Sequence, residues 1–396
     1  MDAKQNPFAP GAGTQPPELA GRSGTITDAE VAIGRAKGGL SSKSQLLLGL
    51  RGVGKTVLLN RAAEIAETEH CLTVSLEAPE SEDLAEMLVP PLRSALYRLS
   101  ATEKARQAAQ RSLGVLRSFA AAFKVKVGGI EFGVQPQTGT ADSGNLEFDL
   151  AELLQAVSIA AKESASAFVL IVDELQYLGP QDLAALIVAV HRVGQRNLPF
   201  VLFGAGLPQL AALAGEAKSY AERLFDYPDV GPLTREAAAE AIRQPMRRKG
   251  IEIEDAALEF IVDTTRGYPY VLQEWGYQAW NVASGSPIAL ADTKLATKSA
   301  LERLDRMFFR VRFDRLTPKE KAYMRAMASL GPGPHRSGDI ARALKRSVSS
   351  VAPLRNGLLV KGMLYSPQHG DTAFTVPMFD EFMKRSMPDW NAKEPS

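Results

Sequence analysis

The residues with the clearest chemistry are Gly49 to Thr56, which read GLRGVGKT and fit the phosphate-binding pattern G-x-x-x-x-G-K-[ST]. Glycines in such a loop let backbone N–H groups close around an anion, and the N-terminus of the next helix adds partial positive charge. Lys55 is expected to reach the β- and γ-phosphates, and the Thr56 hydroxyl to coordinate Mg²⁺. The alternative is a glycine turn before a core helix. The residues expected to contact the nucleotide are Gly49, Leu50, Arg51, Gly52, Val53, Gly54, Lys55 and Thr56, with no role assigned to the Arg51 side chain.

A second chemical group is the acidic pair Asp173 and Glu174, which follows the apolar run Phe168–Val172. Asp173 is expected to hold Mg²⁺ through water, and Glu174 to polarise the water that attacks the γ-phosphate. The alternative is that the two acids only cap the next helix. The phosphate-binding loop lies upstream at a distance suited to one nucleotide domain with an insertion, which favours the catalytic interpretation.

Arg223 is a candidate for a third catalytic role, as an arginine finger that acts in trans on the nucleotide of a neighbouring subunit. That role implies a homo-oligomer. The alternative is a surface salt bridge with Glu222 or Asp226, and the sequence leaves both open.

Alternating strands and helices must position these residues. Continuous apolar runs indicate strands buried on both faces of a parallel sheet, and helical periodicity separates them. The pattern predicts a doubly wound α/β fold with the ligand at the carboxyl ends of the strands. The predicted strands are Gln45–Leu48, Cys71–Leu76, Phe168–Val172 and Phe200–Phe203.

Composition and turn signals divide the chain into four predicted segments. Residues 1–20 are rich in proline and glycine and predict an extended arm that does not pack. Thr27 is then the predicted N-cap of a short helix. The remaining segments are an α/β core at 21–230, a helical lid at 231–300 and a winged helix at 301–390. An insertion at about 81–145 contains a predicted β-hairpin at 123–134, read as a structural flap or, through Lys124 and Lys126, as a contact with a partner or with nucleic acid.

The last segment predicts a winged helix-turn-helix. Thr317 and Glu320 form a capping box for the first helix, Ser337 and Ser350 are the expected caps of the next two, and two short strands follow. Residues 301–396 carry 17 lysines and arginines against 10 acidic residues, although the whole chain has a net charge of only +1. This pattern is typical of a domain that binds double-stranded DNA, and the alternative is a winged helix that docks a protein. The candidate DNA contacts are Arg336, Arg342, Lys345, Arg346, Arg355 and Lys361.

Two features of the sequence indicate the cellular compartment in which the protein is expected. Cys71 is the only cysteine, so no internal disulfide can form and a cytoplasmic location is expected. No apolar run reaches the length needed to span a membrane, and no signal-peptide core follows Lys4.

The order of five features along the chain resembles a known family. They are a Gly-Arg pair before the loop, the loop GLRGVGKT, an apolar strand ending in Asp-Glu, a helical segment with Gly-Tyr-Pro and a basic winged helix. The chain is similar, over about residues 20–385, to bacterial AAA-family (AAA+) ATPases of the origin-recognition and initiator clade, and through them to the STAND signalling ATPases. The resemblance implies ATP rather than GTP, and a lid in which Arg266 reaches phosphate; the alternative for Arg266 is an ordinary arginine at a helix end.

Many ATPases of this type place a polar residue just after the strand that here ends at Phe203, to sense the γ-phosphate. This chain has Gly204-Ala205-Gly206 instead, so the sensor is missing or supplied from elsewhere. The resemblance therefore favours a slow ATP-gated switch that binds DNA. The alternative function is a STAND-like signalling ATPase whose winged helix docks protein partners.

Overall fold

The computed structural model describes residues 1–11, 13–78, 83–99, 102–126, 132–368 and 370–391. Its contacts divide the chain into two compact units. The core unit comprises residues 23–48 and 55–229, and the C-terminal unit comprises residues 1–22, 49–54 and 230–396. No helix within the described ranges is long and apolar enough to cross a membrane.

Helices and strands alternate along the core unit, as the sequence predicts. A single 3-10 turn, Leu175–Tyr177, follows the third strand. The helices are α1 (Ser23–Lys37), α2 (Lys55–Thr68), α3 (Leu84–Tyr97), α4 (Glu103–Ala122), α5 (Leu146–Glu163), α6 (Pro180–Gln195), α7 (Leu210–Ala217) and α8 (Ala221–Leu224). The strands are β1 (Ser44–Leu48), β2 (Leu72–Glu77), β3 (Phe168–Asp173), β4 (Phe200–Gly206) and β5 (Phe225–Asp226).

The five strands form one parallel sheet in the order β2-β3-β4-β1-β5. All residues of β1, β3 and β4 are buried, because helices cover both faces of a parallel sheet. Leu48 at the end of β1 is in register with Gly206 at the end of β4, and Val172 in β3 is in register with Gly204. The carboxyl ends of β1, β3 and β4 therefore share one edge, and the predicted α/β class with a parallel sheet is confirmed.

The C-terminal unit is mainly helical, with one small antiparallel sheet in the order β6-β8-β7. Asp305–Phe309 forms a π-helical turn between α12 and α13. The helices are α9 (Arg235–Arg247), α10 (Asp255–Thr265), α11 (Pro269–Val282), α12 (Leu290–Leu304), α13 (Arg310–Phe313), α14 (Pro318–Ser329), α15 (Ser337–Ala343), α16 (Val348–Val360) and α17 (Phe379–Ser386). The strands are β6 (His335–Arg336), β7 (Leu364–Tyr365) and β8 (Asp371–Phe374).

An aromatic cluster joins the π-helical turn to α17. The Phe309 ring lies 5.7 Å from the Phe379 ring and 5.2 Å from the Phe382 ring, and all three are almost fully buried. Aromatic rings at these separations attract one another beyond the area they bury. The cluster therefore fixes α17 against the helices that precede it.

The N-terminal segment packs, so the prediction of an unpacked arm is wrong. Phe8 is only 3% exposed, and a Cβ added to Gly276 of α11 would lie 2.7 Å from its ring. Asn6 donates to the carbonyl of Tyr277 at 3.0 Å. One buried phenylalanine and a few polar anchors hold a segment whose proline and glycine content alone suggests an extended arm.

Several predicted helix starts need correction. Helix α1 begins at Ser23, so Thr27 lies inside the helix. Helix α15 follows Arg336, and α16 is capped by Ser347, whose hydroxyl accepts from the Ser350 N–H at 3.3 Å. A serine run offers several local caps, and the choice depends on packing. The capping box of Thr317 is confirmed, since its N–H donates to the Glu320 carboxylate at 2.8 Å.

The predicted hairpin at 123–134 has its turn at Gly128-Gly129, and residues 127–131 lie outside the described residues. Helix α4 ends at Ala122, and Phe123–Lys126 and 132–134 form no strand.

Candidate nucleotide-binding site

The loop from Gly49 to Gly54 connects β1 to α2 and owes its shape to glycine. Gly52 has a φ of 79° and Gly54 a φ of 97°, a region that residues with a side chain rarely adopt. A Cβ added to Gly49 would lie 2.2 Å from the Val230 carbonyl oxygen. Steric requirements thus explain why glycine occupies each of these three positions.

Hydrogen bonds fix the loop through its carbonyl groups. The Arg22 guanidinium donates to the Val53 carbonyl at 3.0 Å and to the Gly231 carbonyl, and burial lowers the pKa of Arg22. The Tyr270 N–H donates to the Gly52 carbonyl at 3.2 Å. Arg22 therefore supports the structure of the loop. The sequence indicated only that a Gly-Arg pair precedes the loop.

The loop also keeps N–H groups available. Within the described part of the chain, the N–H groups of Gly52, Val53 and Gly54 donate to no protein acceptor. Consecutive N–H groups of this kind bind anions. The loop thus has the donors that a phosphate needs.

One loop N–H has a partner far along the chain. The Arg51 N–H donates to the carbonyl of Thr375, directly after β8, at 2.9 Å. This bond ties the nucleotide loop to the small antiparallel sheet. The sequence places Arg51 among the nucleotide contacts and assigns its side chain no role, and this bond engages its backbone N–H.

In the core unit, Thr56 and Asp173 meet as the sequence predicts for a metal site. The Thr56 hydroxyl donates to Asp173 Oδ2 at 2.5 Å, and the Glu174 N–H donates to Asp173 Oδ1 at 2.8 Å. Asp173 is 8% exposed, and burial raises the pKa of its carboxyl group, while the hydrogen bond from Thr56 and the charge of Lys55 oppose this effect.

A hydroxyl and a carboxylate fit Mg²⁺, which keeps several waters and is completed by substrate phosphates. The described residues contain no cluster of three or more His, Cys, Asp or Glu side chains that would hold a metal alone. The site thus suits a metal that arrives with a nucleotide.

Glu174 follows β3 in a left-handed conformation with a φ of 53°. Its carboxylate accepts a hydrogen bond from the Gln176 side chain, whose own Oε1 accepts from the Leu207 N–H at 3.1 Å. Sequence reasoning missed Gln176. The signal available was a polar residue two positions after the acidic pair.

Arg223, in the short helix α8, is exposed, and within the described residues it makes no ion pair. Asp226 instead pairs with Lys43 at 3.0 Å. The structure therefore contains neither of the salt bridges with Glu222 or Asp226 that the sequence allowed, and the trans role stays a prediction.

Arg266 ends α10 in a left-handed conformation, with a φ of 53°. Its guanidinium forms an ion pair with Glu381 of α17. The side chain that the resemblance assigns to phosphate is thus bound to a carboxylate of the C-terminal unit.

Residues 18–203 match the family model of the AAA ATPase domain. Residues 306–383 match a second family, described as a domain of unknown function, DUF8462. No curated protein matches the chain at a significant level.

Two solved structures share the fold across nearly the whole chain. A Walker-type ATPase of Pyrococcus abyssi is 17% identical with a TM-score of 0.60, and the alignment covers 94% of this chain and 97% of that one. The ORC2 protein of Aeropyrum pernix, solved as ADPNP and ADP complexes, is 15% identical with a TM-score of 0.54, covering 95% and 97%. At these identities the likeness concerns the fold, which is an AAA+-like P-loop ATPase fold with a C-terminal helical region.

Beyond the residues that match the AAA ATPase family model, the candidate DNA contacts separate into two groups. Two of them serve the packing of the C-terminal unit. Arg355 donates to the Thr372 hydroxyl at 2.8 Å and to the Asp371 carbonyl at 3.0 Å, and Lys361 pairs at 2.8 Å with the buried Glu320. Each cation thus orders or neutralises a polar group of the C-terminal unit, and a role of either residue in DNA binding stays a prediction.

The other four candidates are exposed, as is Lys361. Arg342 pairs with Asp339 on the same helix, where ion pairs between exposed groups are weak. Lys345 occupies the turn between α15 and α16 with a φ of 55°. Among the described residues, Arg336, Lys345 and Arg346 have no side-chain partner. Lys345 and Arg346 directly precede the cap of α16, which begins at Val348.

Proposed function

We propose that this chain is an ATPase that binds ATP and hydrolyses it slowly. Its nucleotide state sets the orientation of a DNA-binding winged helix. In this proposal residues 21–230 form the ATPase core, 231–300 the lid and 301–390 the winged helix. The observation that carries it is the hydrogen bond from the Arg51 N–H to the Thr375 carbonyl. It joins the nucleotide loop to the segment that holds the exposed cations.

ATP and Mg²⁺ are assigned to the loop and to the end of β3. The open N–H groups of Gly52 to Gly54 and the Lys55 ammonium would take the phosphates. Thr56 and Asp173 would hold Mg²⁺, which neutralises charge on the phosphates. The match of residues 18–203 to the AAA ATPase domain supports this assignment.

Hydrolysis is assigned to Glu174, with Arg223 acting from a neighbouring subunit. Glu174 directly follows Asp173, so a water that it polarises would lie beside the metal that Asp173 holds. The exposed guanidinium of Arg223 suits a contact with a second copy of the chain. A homo-oligomer is therefore part of this proposal.

The coupling follows a short hydrogen-bonded path. Thr375 accepts from the loop, and its hydroxyl donates to the Gly362 carbonyl at 2.7 Å, two residues beyond the end of α16. The Thr375 N–H also donates to the Met363 carbonyl at 3.1 Å. A change in the loop on binding phosphate would thus act on α16 through the hydrogen bonds of Thr375.

The Arg266–Glu381 ion pair supplies a second element of the switch. In the structure Arg266 is bound to α17. A γ-phosphate would compete with Glu381 for the same guanidinium, since both offer anionic oxygens. When ATP binds, Arg266 would exchange Glu381 for the γ-phosphate. Helix α17 would then lose its ion pair with the end of α10.

Double-stranded DNA is assigned to the start of α16. Lys345 and Arg346 place positive charge there, and Arg336 adds an exposed cation before α15. Phosphates account for much of the affinity of proteins for DNA. Helix α16 stands third after α14 and α15, the position of the recognition helix in a helix-turn-helix with a wing.

A docked protein is the alternative partner, and one observation favours it. Val348 and Val360, at the two ends of α16, are 51% and 81% exposed. The one charged side chain of α16, Arg355, is hydrogen-bonded within the C-terminal unit. Exposed apolar side chains on such a helix suit a protein surface better than a phosphate backbone.

The test is fluorescence anisotropy with a labelled random duplex across a salt series. The protein is measured without nucleotide, with ADP and with a non-hydrolysable ATP analogue. We expect salt-dependent binding whose affinity differs about tenfold or more between the ADP and ATP states, as for an allosteric coupling of about 1–3 kcal/mol. No binding at about 50 mM salt in any state would favour the docked protein, and equal affinity in all states would remove the switch.

A further inference from the structure

Gln176 connects the ends of two strands at the carboxyl edge of the core sheet. Its side chain donates to the Glu174 carboxylate after β3 and accepts from the Leu207 N–H after β4. Leu207 is fully buried. One amide side chain therefore satisfies a buried backbone donor and holds the carboxylate assigned to hydrolysis.

The two partners also determine which way the amide of Gln176 faces. An ionised carboxylate only accepts, so the amide nitrogen must face Glu174. A backbone N–H only donates, so the amide oxygen must face Leu207. Neither end can be exchanged without losing both hydrogen bonds, and the amide thus has a single stable orientation.

The glycines of β4 make room for this arrangement. A Cβ added to Gly206 would lie 2.8 Å from Gln176 Oε1, and one added to Gly204 would lie 2.3 Å from the Leu175 side chain. Real Cβ atoms do not approach so closely. The end of β4 thus lacks a polar side chain because the turn after β3 occupies that space with Leu175 and Gln176.

The backbone of Glu174 adds a further observation. Its left-handed conformation, with a φ of 53°, is uncommon for a residue with a side chain and is less stable than the right-handed one. The neighbouring contacts, including the bond from Gln176, must hold that conformation. Residues held in this way concentrate at functional sites.

We propose that Gln176 is a positioning residue for ATP hydrolysis, which orients the Glu174 carboxylate toward the attacking water. The inference rests on the proposed role of Glu174. Gln176 acts through Glu174 and touches neither water nor phosphate in this assignment.

The informative variant is Gln176→Glu, because it keeps the length of the side chain and the acceptor for the buried Leu207 N–H. It removes the donor to Glu174 and places two carboxylates together. Near neutral pH these repel, so the Glu174 carboxylate leaves its position. Gln176→Leu would instead leave the Leu207 N–H unpaired and lower stability.

We expect Gln176→Glu to lower kcat about tenfold or more at about pH 8, with ATP affinity unchanged. Gln181→Glu, exposed in the first turn of α6, is the matched control and should leave kcat unchanged.

A double-mutant cycle separates this inference from the proposed function. If Gln176 acts through Glu174, adding Gln176→Glu to Glu174→Gln should lower kcat no further. Wild-type kcat in Glu174→Gln would refute the role of Glu174 itself. A strong loss in Glu174→Gln together with wild-type kcat in Gln176→Glu would overturn the role of Gln176 alone. Equal losses in kcat, ATP affinity and thermal stability for Gln176→Glu would show a structural role and overturn it as well.

Discussion

The guanidinium of Arg266 at the end of α10 is ion-paired with the carboxylate of Glu381 in the first turn of α17. The two side chains are 48% and 33% exposed, so solvent weakens their attraction and a competing anion can reach Arg266. An arginine expected to bind phosphate thus has a carboxylate as its partner.

Glu381→Gln should release Arg266 and strengthen ATP binding. An exposed ion pair contributes up to about 1 kcal/mol, so we expect a gain in affinity of up to about fivefold in calorimetry. Asp305→Asn, which removes the partner of Arg385, is the matched control and should leave ATP affinity unchanged. Unchanged affinity in Glu381→Gln would exclude competition between Glu381 and phosphate.

Lys55→Ala should abolish ATP binding, because Lys55 is the cation of the loop assigned to the β- and γ-phosphates. The side chain is only 6% exposed, so circular dichroism must first show that the variant folds. Calorimetry with ATP and Mg²⁺ is the measurement. Wild-type affinity would refute the assignment of the nucleotide site.

Asp173→Asn should stabilise the protein at neutral pH while it weakens Mg²⁺-dependent ATP binding. Burial raises the pKa of Asp173 in the folded state, so the folded state holds its proton more tightly than the unfolded state. Stability is therefore lost as pH rises from the unfolded pKa through the raised folded pKa. Thermal unfolding measured across pH should show that the variant is more stable than wild type above this pH window. Below the window the difference in stability should disappear. A variant less stable than wild type at neutral pH would contradict the prediction.

Arg223→Ala should lower kcat without changing ATP affinity, because an arginine finger stabilises the transition state on a neighbouring subunit. In the wild type, the rate should rise faster than the first power of protein concentration. A rate strictly proportional to protein concentration would refute action in trans. Arg196→Ala, on an arginine that is also exposed in the core unit, is the control.

Charge reversal of Lys345 and Arg346 should weaken duplex binding at low salt. Each lost phosphate contact should reduce the salt slope by about 0.9. Reversal of Lys294 and Lys298, two exposed cations of α12, is the matched control and should leave the slope unchanged. Equal effects of the two double variants would show that only net charge matters.

Local patterns in the sequence determined the loop, the acidic pair and the first helix of the C-terminal segment. The motif from Gly49 to Thr56 limits its own backbone, the apolar run of β3 requires burial on both faces, and the capping box of Thr317 forms within one turn of helix. These features need only short-range geometry, and the structure contains each of them.

Contacts between distant residues were decided by the tertiary structure alone. Arg22 supports the loop, Gln176 reaches Leu207, and Arg266 pairs with Glu381, 115 residues away along the chain. Arg355 illustrates the same limit, because its charge suggests DNA whereas its neighbours Thr372 and Asp371 draw it into the C-terminal unit. A polar side chain binds whichever partner the topology brings within about 3 Å, and no spacing along the chain specifies that partner.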